Sequence, residues 1–307
     1  MANEVYYSGL GDLRLSAVLH QEMNLLLADR AGLWSHPGLI NFGDIAGRGS
    51  TQLEVPLAGL NGYDEMAAVA ENASTSNTAL TDASPSITIA RQGLQYQISD
   101  LANMTDSVGL NAERLAASMV KSAEMRFTSM VTDVTDGFSN SVGASGTNMS
   151  VDNWMSAQSQ LTQSNAAGPY FAILHPVQFT DLQASIRAEA AGPLQWLPAS
   201  AEMVAIKGPG FAGQYNGVDI FISSKVPTAN AGADRAGAMF AAGAVGYAEG
   251  SIAAVRGAGG LVMPAGTKVL VEFERDSAGA MTKVVGNYYC GVAIIQDSLG
   301  VSIITDA

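Results

Sequence analysis

The sequence offers few residues that could do chemistry. Gly208-Pro209-Gly210-Phe211-Ala212-Gly213 has the spacing G-x-G-x-x-G and follows the apolar run Met203-Val204-Ala205-Ile206. That pattern cradles a pyrophosphate when a helix begins at the glycines and aims its N–H groups at the anion. Here Gln214-Tyr215-Asn216-Gly217 and another apolar run follow, and Asn-Gly is a hairpin signal, so the glycines belong to a turn between strands. The histidines are His20, His36 and His175. A zinc centre needs three or four ligands at workable spacing, and no H-E-x-x-H or paired-cysteine motif accompanies them. His20 falls on a predicted helix and His175 precedes a proline at a helix start, which are positions for packing and capping. Cys290 stands alone in an apolar run, as a small buried hydrophobe does, and no G-x-S-x-G elbow is present. The carboxylates Asp64, Glu65, Asp133 and Asp136 sit in polar or helix-surface settings. Asp100, Asn103 and Asp106 lack the glycine and terminal glutamate of a calcium loop. No catalytic residue, metal or cofactor is assigned. An enzyme built from distant carboxylates leaves no local signature and stays as an alternative.

Composition points elsewhere. Of 307 residues, 48% are apolar and only 14% are charged, against about 25% in an ordinary soluble domain. Mean hydropathy is +0.16. A compact chain of this mass exposes on the order of 12,000 Å², and 15 Lys+Arg with 28 Asp+Glu cover it thinly. Much of that surface is therefore expected to face other protein. No run approaches the roughly 18 apolar residues of a spanning helix, and the start lacks the basic and apolar regions of a secretory signal, so cytoplasmic synthesis without a membrane is expected. A net charge of −13 disfavours gripping nucleic acid, which takes clustered Lys and Arg. It is compatible with enclosing DNA.

The elements that would position any site follow from periodicity. Asp12 caps a helix carrying Leu15, Val18, Leu19, Met23 and Leu26. Trp34 to Gly49 reads as a loop with short extended pieces, and Thr51 to Leu57 alternates as a strand that Pro56 confines to an edge. Gly59 to Ser84 has no core-forming period and is expected to be ordered by a neighbour. Alternation resumes at Ser86–Ala90 and Leu94–Ile98, with Arg91-Gln92-Gly93 between; together these pieces predict a two-stranded arm that leaves the body and returns. Asn111 to Asp136 is a long helix with Leu115, Met119, Ala123, Phe127, Met130 and Val134 on one stripe and Glu124 on the other side. Beyond a Gly/Ser/Asn linker at 139–150, helices at 151–162 and 176–190 alternate with strands at 170–174, 203–206, 218–223 and 238–247. Strands at 267–275, 281–295 and 301–304 close the chain.

That order resembles the major capsid proteins of tailed bacteriophages, the Hong Kong 97 type of shell fold. The resemblance rests on Ser86-Ile87-Thr88-Ile89-Ala90 leading to Tyr96-Gln97-Ile98-Ser99-Asp100-Leu101 before the long helix, on Tyr215-Asn216-Gly217-Val218-Asp219-Ile220-Phe221-Ile222-Ser223 ending at Val226-Pro227, and on the hairpin from Val269 to Arg275. It implies an α+β fold with a peripheral domain (a long spine helix on a β-sheet), an axial α+β domain and an extended β-hairpin arm. The expected division is an amino-terminal arm and helix at 1–32; a peripheral domain at 33–58, 94–139 and 251–307; the arm at 59–93; and an axial domain at 140–250. Ile87, Ile89, Arg91 and Tyr96 are the assembly residues it suggests, and Leu115, Met119, Phe127 and Met130 the spine packing. The function it implies is a non-enzymatic coat protein that assembles as hexamers and pentamers into an icosahedral shell around double-stranded DNA. Assembly would occur in the host bacterial cytoplasm, with a separate scaffolding protein, a portal and decoration proteins as partners. Some relatives crosslink an arm lysine to a neighbour, but the lysines here are Lys121, Lys207, Lys225, Lys268 and Lys283 and the arm has none. An encapsulin-type compartment shares the fold and is one alternative; a secreted β-rich adhesin is another.

Overall fold

A computed structural model describes residues 33–45, 48–58, 66, 68–75, 82–101, 112–189, 196–208, 210–250 and 269–306. The expected helix from Asp12, with His20, lies outside these residues, as does most of 59–81. After a 3-10 turn at Leu33–Ser35 the chain enters β1 (Leu39–Asp44). β2 (Gln52–Glu54) and β3 (Leu57–Ala58) are answered by β4 (Asp82–Ala83) and β5 (Ser86–Thr88), which pair with them antiparallel: Leu53 lies opposite Ile87 and Ala58 opposite Asp82. Residues 59–81 thus connect two strands of one ribbon, and Pro56, which has no N–H to donate, falls in the break between β2 and β3. β6 (Ala90–Ser99) and α1 (Ala112–Asp136) follow. With 25 residues, α1 is about 37 Å long.

The next elements are β7 (Ser141–Val142), α2 (Val151–Gln163), β8 (Tyr170–Leu174) and α3 (Pro176–Ala188). Both helix starts are legible in the chain. Ser150 Oγ accepts from Asn153 N–H at the head of α2. At the head of α3, His175 Nδ1 accepts from Val177 N–H, Gln178 Oε1 accepts from His175 N–H, and Pro176 occupies the first turn, where its missing N–H costs nothing. Then come β9 (Trp196–Pro198), α4 (Ala201–Lys207), β10 (Phe211–Tyr215), β11 (Val218–Ile222), β12 (Thr228–Ala229), β13 (Asp234–Ala241), β14 (Val245–Glu249), β15 (Val269–Asp276), β16 (Met281–Ile294) and β17 (Gly300–Asp306). The β10–β11 turn takes Asn216 and Gly217 to φ of 50° and 78°, the pair of positive angles that a two-residue hairpin turn requires.

Three local expectations are corrected. Met203–Ile206 is not a strand but the body of α4: Ser200 Oγ accepts from Met203 N–H, and the capped run Ala-Glu-Met-Val-Ala-Ile-Lys favours helix once its start is fixed. Ala238 to Tyr247 is not one strand, because the chain turns at Gly243, at φ 97°, and sends β13 and β14 into different sheets. Arg91–Gly93 does not interrupt a strand, because every residue from Ala90 to Ser99 is in register with a partner on β16.

Two sheets organise the body. In the five-stranded sheet β16 is central. Cys290 is paired with both Ala90 of β6 and Glu249 of β14, and Tyr288 with both Gln92 of β6 and Val269 of β15. A strand residue has one neighbour on each side, so β14 and β15 lie end to end on one flank of β16 and β6 lies on the other. In the eight-stranded sheet the order is β7-β17-β13-β8-β11-β10-β9, with β12 beside β13. β17, from the segment expected at 251–307, lies in this sheet, and β14, from the segment expected at 140–250, lies in the five-stranded one. Helices α2 and α3 cover one face of the larger sheet through Trp154, Leu161, Leu182 and Ile186 against Leu174, Ile220 and Met239. Its other face meets α1 and the five-stranded sheet in a core that includes Phe127, Phe171, Phe221, Phe240 and Tyr288. No helix among the described residues is long and apolar enough to cross a membrane.

Candidate assembly surfaces

The ribbon is anchored from within. Ile87 is fully buried and Ile89 nearly so, in a cluster with Leu53, Val55, Ala248 and Ile295. Both isoleucines thus sit against their own chain, where they root the ribbon in the sheet. Gly291 makes the root possible, since a Cβ there would stand 2.2 Å from the carbonyl oxygen of Thr88. Past the root, β6 alternates strictly: Gln92, Leu94, Tyr96 and Ile98 are half-buried toward α1, while Arg91, Gly93, Gln95 and Gln97 are exposed. Tyr96 is tied to the helix by a 2.7 Å hydrogen bond between its hydroxyl and that of Ser118. Arg91 is held on the opposite face, its Nε donating to Asn287 Oδ1 at 2.7 Å, and Asn287 Nδ2 in turn donates to Glu272 Oε2 at 3.2 Å. This relay across three strands is invisible to local sequence patterns, because register alone brings the residues together.

On α1, Met119, Ala123, Phe127 and Val131 are buried along one stripe, and Met130 packs beside them. Leu115 lies on the helix, but its side chain is outside the described part. Glu124 is not on a solvated face: only 14% of its side chain is exposed, and it accepts from Lys121 Nζ at 3.3 Å. At the far end of the larger sheet, edge strand β9 and α4 leave apolar side chains uncovered, Leu197 at 53% exposure and Ile206 at 82%, and α4 buries no residue within the chain. Lys207 holds α4 to β11 by donating to both carboxylate oxygens of Asp219 at 2.7 Å.

Among the described residues those with chemical potential have structural roles, while Asp64, Glu65, Asn103 and Asp106 lie outside them. Gly208 ends α4 at φ 103° and β10 begins at Phe211, so the glycine-rich stretch opens no helix. His36 is buried among Phe171, Phe221 and Phe240, its Nδ1 accepts from Gly38 N–H at 3.1 Å, and burial pushes its pKa down to about 3. Cys290 is buried, its sulfur 3.6 Å from that of Met130. Asp136 is pushed up from the ordinary carboxylate range by burial and by Asp133 beside it at the end of α1. Asp234, buried at the start of β13, is held below that range by hydrogen bonds from Asn230, Ser145 and the Gly146 N–H. It fastens the 143–147 loop to the sheet. Among the described residues no three His, Cys, Asp or Glu side chains gather as a metal site would require.

No family model and no curated protein sequence matches the chain. Solved structures do. A structure from Mycobacterium phage Che8 aligns with a TM-score of 0.58 over 84% of this chain and 87% of that one, at 14% identity. The capsid of Ralstonia phage GP4 aligns at 0.58 over 92% and 90%, at 10% identity. The holo-SrpI encapsulin complex from Synechococcus elongatus aligns at 0.58 over 87% and 85%, at 12% identity. Taken with the rooted ribbon, the long helix on a five-stranded sheet and the second α+β layer, these alignments show that the chain has the α+β Hong Kong 97-type fold of tailed-phage capsid proteins.

Proposed function

We propose that the chain is a structural coat subunit, without catalytic activity, that assembles as hexamers and pentamers into an icosahedral shell enclosing double-stranded DNA. The observation that carries this reading is the near-complete alignment with capsid structures, and the ribbon that runs out through β3 to Ala58 and back through β4 from Asp82 supports it. The five-stranded sheet with α1 serves as the peripheral domain and the eight-stranded sheet with α2, α3 and α4 as the axial domain. The uncovered Leu197 and Ile206 then supply apolar surface at the axial end for neighbouring copies. Ile87 and Ile89 act in assembly through the arm they anchor, whereas Arg91 acts at the surface. The charge of −13 suits a container that must not hold its DNA tightly. A separate scaffolding protein, a portal and decoration proteins are the partners of such a subunit, and the virion its destination after assembly in the host bacterial cytoplasm. The equal alignment with an encapsulin favours one second reading, a protein compartment that holds cargo rather than DNA.

The arm gives the test. Ala58 and Asp82 are cross-strand partners, so replacing 59–81 with Asn-Gly closes the ribbon as a tight hairpin and leaves the body intact. The shortened chain is expected to unfold at the wild-type urea midpoint and to form no particles. Normal shells from it would remove the arm from assembly.

A further inference from the structure

We propose that the outer edge of β6, from Arg91 to Gln97, docks an extended acidic segment of a second copy of this chain, which adds a strand to the five-stranded sheet. The inference rests on the shell-subunit reading and names a surface that this reading leaves open. The direction of the β6 backbone is fixed at both ends. Asp100 N–H donates to Ala280 C=O on the β16 side, and Ile89 N–H donates to Thr51 C=O on the opposite side. Even-numbered residues of β6 therefore bond to β16, and the amides and carbonyls of Arg91, Gly93, Gln95 and Gln97 point away from it. Among the described residues no strand pairs with that edge. It runs about 20 Å, in line with the place where β2 already covers the same side of Ser86–Ile89.

Its chemistry differs from that of β15. There Glu272, Glu274, Arg275 and Asp276 are charges of the kind that blunt an edge against pairing. Gly93, Gln95 and Gln97 carry no charge and no proline interrupts them, the condition in which an edge accepts a strand. Arginines flank it on both faces: Arg91 is steered by Asn287, and Arg126 of α1 donates from Nε to Gln92 Oε1 at 2.9 Å. Between β6 and α1 lies a hollow of about 290 Å³ lined by Gln92, Leu94, Ala123, Arg126 and Tyr288, with room for one apolar side chain of an incoming strand. Two exposed guanidinium groups beside an open edge suit an acidic segment, and a chain with 28 acidic and 15 basic residues supplies that segment itself.

Amide hydrogen exchange on unassembled and assembled wild-type chain tests this. The amides of Leu94, Tyr96 and Ile98 are expected to be protected in both states, and those of Gly93, Gln95 and Gln97 to slow at least tenfold only on assembly. Gln95→Pro removes an outward N–H and spares the β16 ladder. It and Arg126→Glu, a reversal at the exposed arginine outside the Arg91–Asn287–Glu272 relay, are expected to keep the wild-type urea midpoint and lose at least tenfold in particle yield. Should Gln95→Pro fail to fold, Arg126→Glu and wild-type exchange decide. Shells in which the odd-numbered amides still exchange at the free rate, or wild-type yields from both variants, overturn the docking strand and leave the shell reading standing. A wild-type chain that stays monomeric in every condition overturns both.

Discussion

The ring of Phe127 on α1 stands edge-on to Tyr247 on β14, centroids 5.3 Å apart and planes at 78°, with Trp34 at 5.9 Å on another side. This contact joins the spine helix to the sheet whose β16 roots the ribbon. Phe127→Ala is expected to cost about 3–5 kcal/mol, the range for emptying a packed aromatic site. Asp133→Ala, on the exposed side of the helix, should stay within about 0.5 kcal/mol. Urea unfolding of the unassembled variants measures both; the reverse ranking would show that the buried stripe is misplaced.

Gly291→Ala tests the root of the ribbon. The added methyl must displace the Thr88 carbonyl, and overpacking of this kind costs about 1–3 kcal/mol. The Ile89 amide, bonded to Thr51 C=O at 2.9 Å, should exchange faster in the variant while the Trp154 amide in α2 is unchanged. Uniform loss of protection would show that the two regions are not separable.

His36 gives a pH dependence with a definite sign. Its folded pKa is pushed from 6.5 down to about 3 by burial, so between those values the unfolded chain binds a proton that the folded chain refuses. Stability from this group is complete above pH 6.5 and is lost as pH falls through the window, at up to about 1.4 kcal/mol per unit. His36→Gln keeps an acceptor near Gly38 N–H but cannot titrate. Although destabilised at neutral pH, it should show a shallower slope of unfolding free energy between about pH 4.5 and 6. Identical slopes would mean that the wild-type imidazole is protonated in place.

Much of this architecture is written in local pattern. The stripe Met119, Ala123, Phe127 and the caps at Ser150 and His175 follow from spacing and donor chemistry, which act within a few residues. Burial by distant partners is less legible. Alternation at Ile87 and Ile89 shows that one side is apolar, not that Leu53, Val55 and Ile295 of the same chain cover it. Glu124, three residues before Phe127 and seven before Val131, flanks the buried stripe rather than opposing it and so loses most of its solvent, and the covered arc of α1 extends on to buried Thr132 and Thr135. The split of β13 from β14 depends on a turn marked by little more than Gly243, and the Arg91–Asn287–Glu272 relay on a register that no local window contains.

Electrophoresis of assembled particles checks the absence of arm lysines. A single denatured band near 31.7 kDa is expected, since no Lys is present between residues 59 and 93 to form an isopeptide bond. A ladder of covalent multimers would require another crosslinking chemistry.

Negative-stain electron microscopy of the purified chain, alone and with lysate of its source, tests the shell assignment most directly. Closed particles of uniform size, or hexamers and pentamers that close when scaffold is supplied, are the predicted result. A population that remains monomeric near 31.7 kDa at high concentration, across salt conditions and with lysate present, would contradict it.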